Sequence, residues 1–465
     1  MLGRQCLFAL GVLACFLGLS CGSDDPASDE AGAVSGEPAT MTAPKAEEPV
    51  AEDEAFWRPG VADPGVNVLP TGRLVTPAGD LVGVASFPMD VAVSPDGATA
   101  VVSTARKPTV HVIDVATGTV REYQNIPHAF SGLMFHPDGD RFFLSGGASH
   151  KIHEFTLAGG LITQERIFSV DNMPSGLALS PDGLTLYAAC YMGKRLAEID
   201  LASGLETASY PVHLFPYDVV LSNSGRYAFV SNHGADSVSV LDLNAGGAEI
   251  ETVPVGVHPE MMAMSPDGTR LYVANADSDD VSVIDTASYN TVDVYPLHLT
   301  PDDRTGASPV AVEVSADGSR LYVTSSSLNS VDILNAATGD VLGRLPTGWY
   351  PTNACLDEAN GRLFVTNGKG VGSAGLGLYD QWQGSLSIID LPTAPELADY
   401  TIQVEDNARF SQTFFDLSGD IASPIPTEEG TPSEVIKHVI FILRENKLSI
   451  RFSASWKAWR PIRAC

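Results

Sequence analysis

Seven residues of this chain are of types that grip ligands, and they recur beside prolines. They are Asp90, Tyr217, Asp218, His258, Glu260, Tyr350 and Asn353. Their settings read Phe87-Pro88-Met89-Asp90, Phe215-Pro216-Tyr217-Asp218, His258-Pro259-Glu260 and Tyr350-Pro351-Thr352-Asn353. Three carboxylates, an imidazole and several aromatic rings could together hold a small molecule or a peptide. The competing account is that proline and aromatics only shape turns and fill space. No Ser-His-Asp order, Gly-x-Ser-x-Gly elbow or His-Glu-x-x-His motif is present. His150 and His153 fall on an expected strand with no acidic ring beside them. The glycines of 368–377 invite comparison with a phosphate loop, but the Gly-x4-Gly-Lys-Ser/Thr pattern is missing.

The elements that must position these residues are short strands. Asp-Gly-type turn pairs recur at Asp96-Gly97, Asp138-Gly139, Asp182-Gly183, Ser224-Gly225, Asp267-Gly268, Asp317-Gly318 and Asn360-Gly361. Their spacings are 42, 44, 42, 43, 50 and 43 residues. A second register lies eighteen residues later, at Asp114, Thr156, Asp200, Asp242, Asp285 and Asn335. Segments rich in Val, Ile, Tyr and Phe stand between these turns and read as strands. Asp-Gly supplies the positive φ of a tight turn. The Asp of Asp114-Val115-Ala116-Thr117-Gly118 can cap the backbone that follows it. About four strands per unit leave two unburied faces, and seven units packed radially cover one another. The fold class is therefore all-β, a seven-bladed β-propeller.

The second strands read Phe229-Val230-Ser231-Asn232, Tyr272-Val273-Ala274-Asn275, Tyr322-Val323-Thr324-Ser325 and Phe364-Val365-Thr366-Asn367. With Ser-Pro-Asp-Gly before them and Val-Ile-Asp after, they resemble the YVTN-type β-propeller repeat. The resemblance covers roughly residues 80–404. In such a ring the proline-bearing loops open onto the central channel, so the seven residues above converge on one mouth. Ring closure needs a strand from one end of the repeat region. Leu81 to Ser86 and Tyr400 to Val404 are both candidates.

Outside the repeats the composition changes. Arg4 precedes an apolar run from Leu7 to Leu19, ending at Leu17-Gly18-Leu19-Ser20-Cys21. This resembles a bacterial lipobox, which implies acylation of Cys21 after removal of residues 1–21; an ordinary cleaved export signal is the alternative. Residues 22–55 carry ten acids, one lysine and no aromatic, the composition of a disordered tether. Beyond the propeller at 56–404 and a proline-bearing linker at 405–434, a segment at 435–465 begins with Ile436-Lys437-His438-Val439-Ile440 and reaches Glu445-Asn446. It resembles the opening strand of the phosphoesterase family within the alkaline-phosphatase superfamily. That resemblance implies that Glu445 and Asn446 would hold a divalent metal in a complete domain. The tail from Lys447 has five basic residues and no acid, and is expected to be an aberrant end to a truncated gene.

The net charge of −30 repels phosphate backbones and argues against nucleic acid. After Cys6, Cys15 and Cys21, only Cys190, Cys355 and Cys465 remain, with no Cys-x-x-Cys, so neither a disulfide framework nor c-type haem is expected. The sequence thus points to a monomeric, non-catalytic binding or positioning module on an exported protein of the bacterial cell envelope, periplasmic or held in the outer membrane by a lipid. Its expected partner is a small molecule, peptide or partner domain at the propeller face, and it needs no cofactor. One rival is a metal-dependent phosphoesterase whose catalytic part is missing. The other is a lactonase-like propeller enzyme with a metal near Asp90, Asp218 and Glu260.

Overall fold

Six sequence units fold as four-stranded antiparallel meanders, and the seventh supplies three strands of a seventh four-stranded blade. The computed structural model describes residues 60–63, 66–69, 73–105, 109–124, 130–299, 306–371 and 383–408. The unit after Pro88 shows the pattern: Pro88–Val93, Thr99–Thr104, Thr109–Asp114 and Val120–Gln124 pair in chain order. The first strands of successive blades touch one another around a closed circle, the seventh, Pro351–Asp357, meeting the first, Pro88–Val93. This is the seven-bladed propeller that the turn period implies.

The turns behave as their chemistry dictates. In Ser94-Pro95-Asp96-Gly97 the Asp96 carboxylate accepts from Ser94 Oγ at 2.6 Å and from the Ala98 N–H at 3.0 Å. Gly97 sits at φ 69°, where a Cβ is disfavoured. Asp114 accepts from the Thr117 N–H at 2.9 Å. The tetrad Asn also has a physical reason. Asn275 Nδ2 donates to Asp280 at 2.7 Å and to Ser282 at 2.9 Å on the third strand, and Asn232 and Asn367 do the same in their blades. Each amide pins two strands where both are buried.

Seven apolar clusters form the core, one at each blade–blade interface. Phe364, Leu386, Val82, Val84 and Val102 fill the join of blades seven and one. Each blade thus hides the face that its neighbour cannot hide alone.

The closing strand is Asp80–Val84, paired antiparallel with Gly384–Asp390. The other candidate, Tyr400 to Val404, is not a strand. It lies within the α-helix Ala394–Ala408. That helix packs along Val341–Pro346, the outer edge of blade six. The Arg344 N–H of this edge donates to Thr401 Oγ1 at 3.0 Å, and Leu397 enters the cluster between blades six and seven. An exposed strand edge is a template for unwanted pairing, and the helix covers part of this one. Three short strands, Gly60–Asp63, Val66–Val68 and Leu74–Val75, precede the ring. Among the described residues no helix is long and apolar enough to cross a membrane. Residues 1–55, most of the 405–434 linker and the whole of 435–465 lie outside the described residues, and with them Cys21, Glu445 and Asn446.

Candidate functional site

The mouth of the channel is built from two positions in each blade. The residue before the inner-strand proline is left-handed in six blades: Phe87, Met173, Phe215, His258, Ser308 and Tyr350 have φ between 51° and 62°. None is glycine, so each carries strain of about 1–3 kcal/mol that its surroundings must offset. Its carbonyl accepts from the N–H of the residue just after the tetrad strand, as in Phe215 O with His233 N at 2.9 Å and Tyr350 O with Gly368 N at 2.8 Å. Between blades its own N–H is often latched by a side chain of the preceding blade. Asp236 takes His258, Asp279 takes Ser308 and Asn329 takes Tyr350. Sequence reasoning found the first position. The second holds Tyr191 and His233, which it missed.

Just after each proline the inner strand shifts register by a bulge in blades one and three to seven. Bulges re-aim side chains. The residues two and four after the proline line the channel, a cavity of about 330 Å³. They include Asp90, Asp218 and Asn353 and, unforeseen, Glu313. Glu260 is one residue after its proline and does not line this cavity. The expectation that Asp90, Asp218 and Glu260 form one carboxylate group is therefore corrected: Glu260 belongs with Tyr217 in the rim layer. Among the described residues no group of three or more His, Cys, Asp or Glu is placed to hold a metal ion. The residues present do not fit the metal centre that a lactonase-like reading requires.

Asp90 is a staple. It is buried and accepts from Val91 N, Gly132 N and Leu133 N at 2.8–2.9 Å, and from Asn353 Nδ2, joining blades seven, one and two. Burial raises its pKa, and these four hydrogen bonds oppose the rise. Asp218 accepts from Met262 N at 3.0 Å, joining blades four and five. Burial lifts Asp218 to about 7. Burial, then Asp90 and Asp218, lift Glu313 to about 7. No Lys or Arg lines the cavity, so no positive charge there offsets the crowding of carboxyls.

At the rim a run of rings goes from Phe130 through Tyr191, Phe215 and Tyr217 to His233 and His258. His233 and His258 stack with centroids 4.4 Å apart and planes 1° from parallel. His258 Nδ1 lies 2.7 Å from Asp277 Oδ2, and this hydrogen bond raises the pKa of His258. Burial, then His258, hold His233 down to about 4. Glu260 Oε1 lies 3.9 Å from His233 Nε2, too far for a hydrogen bond. Burial, then Asp277, lift Glu260 to about 8. Burial, then Glu260, hold Tyr217 well above the ordinary phenol value. On the opposite rim Lys369 Nζ sits 4.2 Å from the Tyr350 ring centroid and 4.9 Å from that of Trp349.

The model of the YNCE-like beta-propeller matches residues 71–360. The chain belongs to the YNCE-like β-propeller family. No curated protein matches it significantly. Among solved structures this YNCE-like propeller is similar to hydrazine synthase of Kuenenia stuttgartiensis, with 21% identity, a TM-score of 0.53 and coverage of 61% of this chain and 93% of the other. It is also similar to virginiamycin B lyase from Staphylococcus aureus, with 16% identity, a TM-score of 0.51 and coverage of 67% and 99%. A catalytically inactive form of that lyase, with Quinupristin, matches to the same extent. At these identities the likeness is one of fold.

Proposed function

We propose that the YNCE-like propeller is a binding module whose ligand seat is the channel mouth, with the throat below it. One observation carries this reading. Carboxyls at Glu260, Asp218, Glu313 and Asp90 descend from an aromatic rim into a cavity that no Lys or Arg lines. Hydrogen bonds meet Asp90 and Asp218, but carboxyls without a countercharge remain costly to bury, and a ligand that supplies one relieves the cost. Burial and rigid positioning of this kind suit recognition of a small molecule or a side chain of a peptide or partner domain. The Ile436–Asn446 segment supports a finer reading, a propeller carried ahead of a phosphoesterase domain. The Cys21 pattern supports export and a lipid anchor.

Thermal-shift screening with small molecules of each charge class tests the seat. Hits are expected that vanish in Tyr217→Ala and in Asp218→Asn but persist in Leu205→Ser, an exposed site on an outer strand. Hits indifferent to both mouth variants would overturn the reading. Incubation with p-nitrophenyl phosphate and divalent metals is expected to give no turnover above background. Catalysis is favoured by one observation of its own: a carboxyl lifted to about 8 stands beside a neutral imidazole, as in acid–base pairs. Conversion of a mouth-bound hit, lost in Glu260→Gln, would establish it.

A further inference from the structure

Two groups that can accept hydrogen bonds face each other at the rim. Glu260 Oε1 and His233 Nε2 are 3.9 Å apart. His233 is nine-tenths buried, and its other nitrogen, Nδ1, has no hydrogen-bond partner. At 3.9 Å neither side chain hydrogen-bonds to the other. A neutral His233 carries a single N–H, and with that proton on Nδ1 its Nε2 accepts, while Glu260 accepts once it has lost its proton. Such a separation is right for one donor that sits beside both at about 2.8–3.0 Å from each. The donor must carry several protons and, against a carboxylate, a positive charge. A primary ammonium has three N–H groups and a compact charge. Resting on the reading of the mouth as a ligand seat, we propose that this site takes an alkylammonium group, held by Glu260 and His233 beside the Tyr217 ring. The ring adds a cation–π contact. The stem of the amine then points into a throat whose wall mixes Met261, Met262 and Val312 with the Asp218 and Glu313 carboxyls, which suits methylenes and a second cationic end. The net charge of −30 steers cations toward the molecule.

Two sources supply such an amine, a free diamine and a lysine side chain, and calorimetry with both separates them. The probes are cadaverine and a short, end-blocked lysine peptide, with 1,5-pentanediol as the uncharged match. At pH 8.5 at least one cationic probe is expected to bind and the diol is not; the tighter probe names the source. Glu260→Gln should weaken binding at least tenfold. His233→Phe keeps a ring in the stack but removes the acceptor, and should weaken it severalfold. The groups facing Glu260 are His233, His258, Asp277, Tyr191 and Tyr217; only Glu260 must lose a proton for the site to hold a cation, so affinity should fall by roughly a hundredfold from pH 8.5 to pH 6. Amine binding unchanged in Glu260→Gln would show adsorption to the acidic surface and overturn the assignment. So would failure of both cationic probes, the result expected if water alone bridges the two acceptors. A neutral or anionic hit lost in Tyr217→Ala, with no amine binding, would sink the ammonium class and leave the seat standing.

Discussion

At the scale of single residues, the throat carboxyls make the stability of this protein run against the usual dependence on pH. Asp218, Glu313 and Glu260 have pKa values raised in the folded state to about 7, 7 and 8. Between the ordinary carboxyl value and those figures the folded chain holds protons that the unfolded chain has lost. Their contribution is therefore complete near pH 4 and is lost as pH rises through 7 and 8. The turn carboxylates act oppositely. Asp96, Asp182, Asp267 and Asp317 are lowered, first of all by hydrogen bonds from serine hydroxyls, and their support is lost as pH falls below about 4. Melting curves should then peak near pH 4 to 4.5 and fall above it. The double variant Asp218→Asn with Glu313→Gln should raise the melting temperature at pH 8 by roughly 2–4 °C and flatten the fall between about pH 4.5 and 7. An unchanged slope would contradict the burial assigned to these groups. Part of this was legible: the proline-anchored spacing named Asp90, Asp218 and Asn353. Glu313 escaped because the reading stopped two residues after each proline, although a strand returns to the same face two residues later. Glu260 was misgrouped for the related reason that it is offset by one position. His233 was signalled by standing directly after Phe229-Val230-Ser231-Asn232, where other blades carry small residues such as Ala276 and Gly368.

At the scale of elements, the blades are held in register by short polar links as well as by their apolar faces. Ser145, Ser231 and Ser326 donate from a second strand, or from its edge, and Ser175 from an inner strand, each to a carbonyl of the next blade's inner strand. The latches to the left-handed residues repeat the idea on the other polarity. Asp279 accepts from Ser308 N at 2.8 Å across the join of blades five and six. Asp279→Ala should cost about 1–2 kcal/mol in urea unfolding, since it leaves a half-buried N–H unpaired beside a strained residue. Ser308→Gly relaxes the strain and keeps the latch, so it should be neutral or stabilising by up to about 1 kcal/mol. Equal losses in both variants would show that the strain, not the bond, matters. None of these links was visible beforehand, because a serine or aspartate at a repeat boundary looks the same whether it caps its own turn or reaches the neighbouring blade. The turn cycle itself was plain, since glycine-bearing turn pairs, five of the seven Asp-Gly, recur at a near-steady period through all seven units.

For the whole molecule, the decisive element is the strand that closes the circle. Asp80–Val84 lies before the first blade in sequence but completes the seventh, so it is the only strand of that blade not joined to it by a hairpin. Composition could not choose between this segment and Tyr400 to Val404. Both mix apolar and polar residues over a few positions. Geometry chooses: a helix at 394–408 covers the edge of blade six, while Val82 and Val84 enter the cluster shared by blades seven and one. Val82→Asp places an unpaired carboxylate in that cluster. It should cost upward of 3 kcal/mol and free the edge of Gly384–Asp390. A freed edge pairs with the next available strand, so the variant should sediment as larger species than the parent at the same concentration. The conservative change Val82→Ile fills the same space and should do neither. If Val82→Asp lost stability yet sedimented like the parent, the seam would be held by the apolar faces alone and closure through the strand ladder would be incidental. The mouth lies at the end of the channel that this seam helps to enclose. Because Asn353 of blade seven donates to Asp90 of blade one, loosening the closure should also disturb ligand binding at a rim built largely by the opposite blades.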